Sequence, residues 1–118
     1  MNGVETVLRA GPIPYDEIEL RGDHDLDQAL REEGLDPQST SYRLIDIPLA
    51  SICDVRTMPW KGRDRETPMV MAVRAGTRLP PLVVKRLTDC WTLLDGVNRT
   101  CAYFYLHTER VEAYELAT

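Results

Sequence analysis

The residues best placed to do chemistry fall in one short run, Leu94-Asp95-Gly96-Val97-Asn98-Arg99. An apolar strand that stops at Asp-Gly and enters a helix leaves backbone N–H groups without intrahelical partners at the helix start. The helix dipole adds partial positive charge there, so the place suits a phosphate or a carboxylate. Arg99 could add a bidentate, permanently charged fork, and Lys85, Arg86 and Arg78 lie just upstream. The same residues would also make an ordinary turn, with Asp95 capping the helix and Arg99 solvated.

Elements on either side must position that run. Leu82 to Leu87 and Trp91 to Leu94 read as two strands of a hairpin turning at Thr88-Asp89-Cys90. The helix Val97 to His107 follows, with Val97, Cys101 and Phe104 expected on its core face, Ala102 and Leu106 beside them, and Tyr103 or Tyr105 at the rim. His107, in the last turn, reads as a structural histidine favoured by the dipole. Upstream, Thr67 as N-cap and Pro68 at N1 open a helix over Met69 to Ala75 that Gly76 stops, with Met69, Ala72 and Val73 on its inner face. Tyr42 to Ile52 reads as a strand interrupted by Pro48, and Arg110 to Leu116 as a closing strand. The polar, basic stretch from Cys53 to Arg65 reads as a loop whose Trp60 packs on the core or covers a ligand.

Ahead of these lies a segment without sustained period. Residues 1–23, with Gly3, Gly11, Pro12, Pro14 and Gly22, predict an irregular arm carrying at most a short strand around Tyr15 to Leu20. Asp23 to Glu33 predicts a short helix capped by Asp23 or Asp25, with Leu26 and Leu30 on one face and Gly34 as its stop. The expected organisation is therefore an arm with a short helix over residues 1–40 and a small α+β domain over 41–118.

Composition limits the alternatives. With 118 residues, 43% apolar and 28% charged, the chain suits one domain with one core. No apolar run approaches the roughly 20 residues of a membrane span, and the N-terminus lacks a signal pattern. Cys53, Cys90 and Cys101 are odd in number and lack Cys-x-x-Cys spacing, which favours reduced thiols in a cytoplasm over a disulfide scaffold or a zinc site. The net charge of −5 is uneven: −8 over residues 1–55, +6 over 56–86 and −3 over 87–118. A basic middle between acidic ends favours a local anion site over a protein that coats nucleic acid, although a solvated surface would give the same clustering.

Three stretches carry a resemblance. Leu79-Pro80-Pro81-Leu82-Val83-Val84-Lys85-Arg86 is similar to the proline-then-strand segment, ending in a basic residue, of the ParB/sulfiredoxin superfamily. Leu94-Asp95-Gly96-Val97-Asn98-Arg99-Thr100-Cys101-Ala102 resembles its strand–Asp-Gly-x-x-Arg–helix signature, and Ile47 to Ile52 its opening strand and turn. The resemblance covers roughly Tyr42 to Leu116. It implies a mixed sheet with a β-hairpin and packed helices, and a nucleotide or phosphorylated ligand at the signature helix. Gly96, Val97 and Asn98 would offer donors, with Arg99, Lys85, Arg86 and Arg78 as the cations.

Members include partition proteins that bind CTP and DNA, sulfiredoxins, free-serine kinases and reputed nucleases. Sulfiredoxins set a reactive cysteine before the His-Arg pair of the signature; Val97 stands here, so that activity is rejected. Phosphoryl transfer or nucleotide hydrolysis would need a carboxylate, for which Glu66, Asp64 and Asp95 are candidates, together with ATP or CTP carrying Mg²⁺. No acid and histidine cluster predicts a nuclease metal site, which leaves a metal-dependent nuclease as the remotest reading. The other reading is a non-catalytic interaction module that meets a protein partner through the acidic N-terminal region. Nucleic acid is a less favoured partner, and no membrane association is expected.

Overall fold

The computed structural model describes residues 4–57 and 66–117. Five strands, β1 (Thr6–Pro14), β2 (Ser41–Pro48), β3 (Leu82–Arg86), β4 (Trp91–Asp95) and β5 (Arg110–Leu116), form one mixed sheet in the order β1-β2-β5-β3-β4. β3 runs parallel to β5, and the other neighbours are antiparallel. Four helices, α1 (His24–Glu32), α2 (Cys53–Thr57), α3 (Pro68–Arg74) and α4 (Val97–Tyr105), join them. This is the expected α+β class, with the hairpin β3–β4 leading into α4.

Side-chain alternation along the strands builds a core on each face. Ile45, Ile47, Leu82, Val84, Trp91, Val111 and Ala113 share one face, against which Val55 of α2 and Tyr103 of α4 pack. Tyr42, Val83 and Tyr114 project to the other and meet Ile13, Tyr15, Ile18, Leu26 and Leu30. Residues of the expected arm and of the 41–118 segment therefore share a core.

Local signals explain most boundaries. Asp23 caps α1 by accepting from the amides of Asp25 (3.0 Å) and Leu26 (3.1 Å). Thr67 caps α3 by accepting from Val70 N at 3.1 Å, with Pro68 at the first helical position.

Several expectations change, and the stretch from Cys53, expected as a loop, opens with the helix α2. The arm over residues 1–23 holds a regular strand at Thr6–Pro14 rather than near Tyr15 to Leu20, where a 3-10 turn spans Tyr15–Glu17. β1 absorbs Gly11 and Pro12 through register shifts against β2, which hydrophobic periodicity does not reveal. The buried residue of α3 is Val70, with Met69, Ala72 and Val73 half-buried beside it. On α4 the buried residues are Arg99, Thr100 and Ala102, while Val97 (36%) and Phe104 (38%) are exposed. The helix is rotated because Arg99 turns inward to partners described below. Cys53 and Cys90 form a disulfide, with Cα atoms 5.3 Å apart, in place of two reduced thiols. Trp60, Asp64 and the end of the expected loop lie outside the described residues. Among the described residues, no helix is long and apolar enough to cross a membrane.

Candidate functional site: a cleft at the start of α4

β4 delivers Leu94 and Asp95 to the end of the sheet, and Gly96 turns the chain into α4. Its φ of +113° is left-handed, and a Cβ there would come within 2.6 Å of Leu82 Cδ2 and 2.9 Å of Arg99 Nη2. Only glycine fits that turn without displacement. Gly96 O accepts from Thr100 N and from Thr100 Oγ1, both at 2.8 Å, which closes the first helical turn. No side chain caps the helix. The alternative in which Asp95 caps α4 is thus not realised: Gly96 is the N-cap residue.

This uncapped start borders a cleft of about 540 Å³. Gly96, Val97 and Asn98 form one side, Leu20, Met69, Leu79 and Leu94 give apolar walls, and Asp23, Asp25 and Asp95 add carboxylates. Burial pushes the Asp95 carboxyl above the usual aspartate range; Arg99 opposes that shift, while Asp23 and Asp25 reinforce it.

Arg99 lines the cleft, but its guanidinium is committed elsewhere. It is 7% exposed and donates through Nη1 to Pro80 O (3.2 Å) and Pro81 O (3.3 Å), with Nη2 3.5 Å from Asp95 Oδ2. Burial lowers its pKa, against the pull of Asp95. Arg99 thus lashes the β4–α4 junction to the proline segment that precedes β3.

The other expected cations are not gathered here. Lys85 and Arg86 are successive on β3 and point to opposite faces. Lys85 Nζ meets Glu33 Oε2 at 2.7 Å, whereas Arg86 binds Glu5 and Glu115 and lies over Trp91, 4.7 Å from the ring centroid. Arg78 pairs with Glu19 at 3.1 Å and Glu112 at 3.4 Å. Of the two described acids suggested for catalysis, Glu66 is held by Arg74 (2.6 Å) and Tyr105 OH (3.1 Å) and is not part of the cleft lining, whereas Asp95 is. Among the described residues, no group of three or more His, Cys, Asp or Glu side chains is arranged to hold a metal ion.

Sequence reasoning missed a buried ionic knot. Glu115 is 6% exposed and accepts from Arg43 Nε (2.6 Å), Arg86 Nε (3.1 Å) and Trp91 Nε1 (2.5 Å). A signal for it exists in β5, where Glu115 shares the alternation of Val111 and Ala113 and must face inward with them.

No protein-family model and no curated protein matches the chain. Solved structures with a similar fold include a sulfiredoxin from Arabidopsis thaliana, 17% identical with a TM-score of 0.46 over 61% of this chain and 82% of that one. A Pnob8-like ParB-N domain is 14% identical with a TM-score of 0.48, over 68% of this chain and 32% of that one. Both neighbours bear the names of the superfamily whose signature the residues around Gly96 resemble. The likeness is one of fold, and nothing about ligand or reaction is taken from it.

Proposed function

We propose that the cleft at the start of α4 binds a nucleotide or another phosphorylated small molecule. The observation that carries this reading is a helix start without a side-chain cap, opening beside a cleft of about 540 Å³. The backbone N–H groups of Val97 and Asn98 are the natural donors to phosphate oxygens. Leu20, Met69, Leu79 and Leu94 offer apolar walls to a base or other flat group. The carboxylates in the lining disfavour a bare anion but suit one that carries Mg²⁺, which is commonly held by one or two carboxylates plus the ligand's phosphates. Such a ligand is ATP or CTP in form, and Asp95 would orient the attacking water in hydrolysis or the acceptor hydroxyl in phosphoryl transfer.

A second reading has its own support. Arg99, Lys85, Arg86 and Arg78 all have internal partners. That spending of cations favours a non-catalytic interaction module over a working phosphate site, and it also weakens a role in nucleic-acid binding.

A thermal-shift titration with ATP, CTP, GTP and inorganic phosphate, each with and without Mg²⁺, separates the two. At a hundredfold excess over Kd, a ligand of the native state adds about 2.7 kcal/mol. The companion variant is Asn98→Asp, which puts a carboxylate on an exposed second helical position, where the dipole tolerates it and a phosphate does not. A saturable shift in wild type that Asn98→Asp abolishes supports the site. Flat curves for all four ligands, or equal shifts in the two proteins, sink it.

A further inference from the structure

We propose that the Cys53–Cys90 disulfide is a redox latch, which a dithiol reductant opens to free α2 from the outer edge of β4. The inference does not depend on the ligand reading.

β4 is an edge strand of the sheet, and residues 52–54 close its outer side. Ile52 makes a parallel bridge to Trp91. Asp54 Oδ1 accepts from Leu93 N at 2.9 Å and from Thr92 Oγ1 at 3.3 Å. Between these two contacts in sequence, Cys53 is bonded to Cys90, the residue immediately before β4. α2 has only five residues, too few to persist as a helix by its own hydrogen bonds. Among the described residues, its docking on β4 includes one bridge, one carboxylate, Val55 against the core and the disulfide.

The two cysteines differ in exposure. Cys90 is 8% exposed, whereas Cys53 is half-buried, so an incoming thiolate reaches Cys53 Sγ. Attack there breaks the Sγ–Sγ bond, forms a mixed disulfide at Cys53 and releases Cys90 as a thiolate that takes a proton. The reductant's second thiol then displaces Cys53 as a thiol. Two electrons and two protons pass from the dithiol, which leaves as its own disulfide. With the bond gone, α2 exchanges between docked and free states, and in the free state the amide of Leu93 loses its acceptor. A reducing compartment would hold the latch open, and oxidation would close it.

The test combines thiol titration in denaturant with hydrogen exchange on the full native chain, oxidised and dithiothreitol-reduced. A Cys53→Ser/Cys90→Ser variant is followed in parallel. One titratable thiol per chain is expected before reduction and three after it. Amides of residues 52–57 and 91–94 should exchange at least about tenfold faster once reduced, with β2 and β5 protection unchanged. In hydrogen exchange the double variant should match the reduced protein under both conditions, with one titratable thiol throughout. Three thiols in air-equilibrated protein would overturn the latch, as would equal exchange at Leu93 in the two states. So would loss of protection in β2 and β5 on reduction, which would make the bond a staple for the whole fold.

Discussion

Replacing Glu115 with glutamine should destabilise the protein by about 3 kcal/mol at neutral pH, and the loss should fade in acid. Glu115 is the acceptor on which three donors converge: Arg43 Nε at 2.6 Å, Arg86 Nε at 3.1 Å and Trp91 Nε1 at 2.5 Å. Glutamine keeps the volume and one oxygen, which can serve one or two of these donors. Its NH₂ group then faces the remaining donor, so one charge-assisted bond is lost and one donor is left unpaired, at about 3 kcal/mol together. The arginine side chains are 28% and 36% exposed, so solvent screening keeps the loss from growing larger. Burial alone would raise the Glu115 pKa, yet the bonds from Arg43 and Trp91 and the charges of both arginines hold it below the usual glutamate range. A carboxylate depressed in the folded state contributes its stability above the unfolded pKa and loses it as pH falls through the folded pKa. The wild-type advantage over Glu115→Gln should be constant above about pH 5 and shrink as pH falls below ~4.3, the unfolded value. Urea denaturation followed by circular dichroism, at several pH values between 7 and 3, reads both quantities. An advantage below 1 kcal/mol at pH 7, or one that persists unchanged at pH 3, would refute the assignment of Glu115 as the charged centre of this knot.

Two substitutions test the junction that forms the cleft. Gly96→Ala should cost about 1–3 kcal/mol in chemical denaturation, because its left-handed φ and its approach to Leu82 and Arg99 both resist a Cβ. A neutral result would mean that the β4–α4 turn relaxes freely. Arg99→Ala should cost about 2–3 kcal/mol of folding stability by leaving the Pro80 and Pro81 carbonyls and Asp95 without their donor. If stability is unchanged while phosphate affinity falls 1.5–3 kcal/mol, the worth of a charge-assisted contact, Arg99 belongs to the ligand and its inward bonds are incidental.

Most elements were legible because their signals are local. Asp23 before α1, Thr67-Pro68 before α3 and Asp95-Gly96 before α4 each state where a helix begins, and each does so through atoms within four residues. β1 escaped because Gly11, Pro12 and Pro14 read as breakers, while the partner that tolerates them, β2, lies some 30 residues downstream. The inner face of α4 was misjudged because polarity was allowed to decide it. Arg99 is polar, yet the nearest acceptors, the carbonyls of a Pro-Pro segment, lie inside the fold. The disulfide was missed for a similar reason: cysteine count and spacing do not report that Cys53 and Cys90 meet across the edge of β4.

The charge pattern shows most clearly what sequence order conceals. The +6 of residues 56–86 reads as a basic patch only while the chain is drawn in a line. Folded, Lys85 meets Glu33 of the acidic N-terminal segment, Arg86 meets Glu5 and Glu115, and Arg78 meets Glu19 and Glu112. Acids of both ends thus pair with three cations of the middle, while Asp23, Asp25 and Asp95 line the cleft. An anionic ligand would then meet short-range attraction from backbone N–H groups and longer-range repulsion from carboxylates. Salt screens the second far more than the first. Phosphate binding at α4 would therefore strengthen with divalent cations and moderate salt, the opposite of a site built on exposed arginines, where salt competes with every contact.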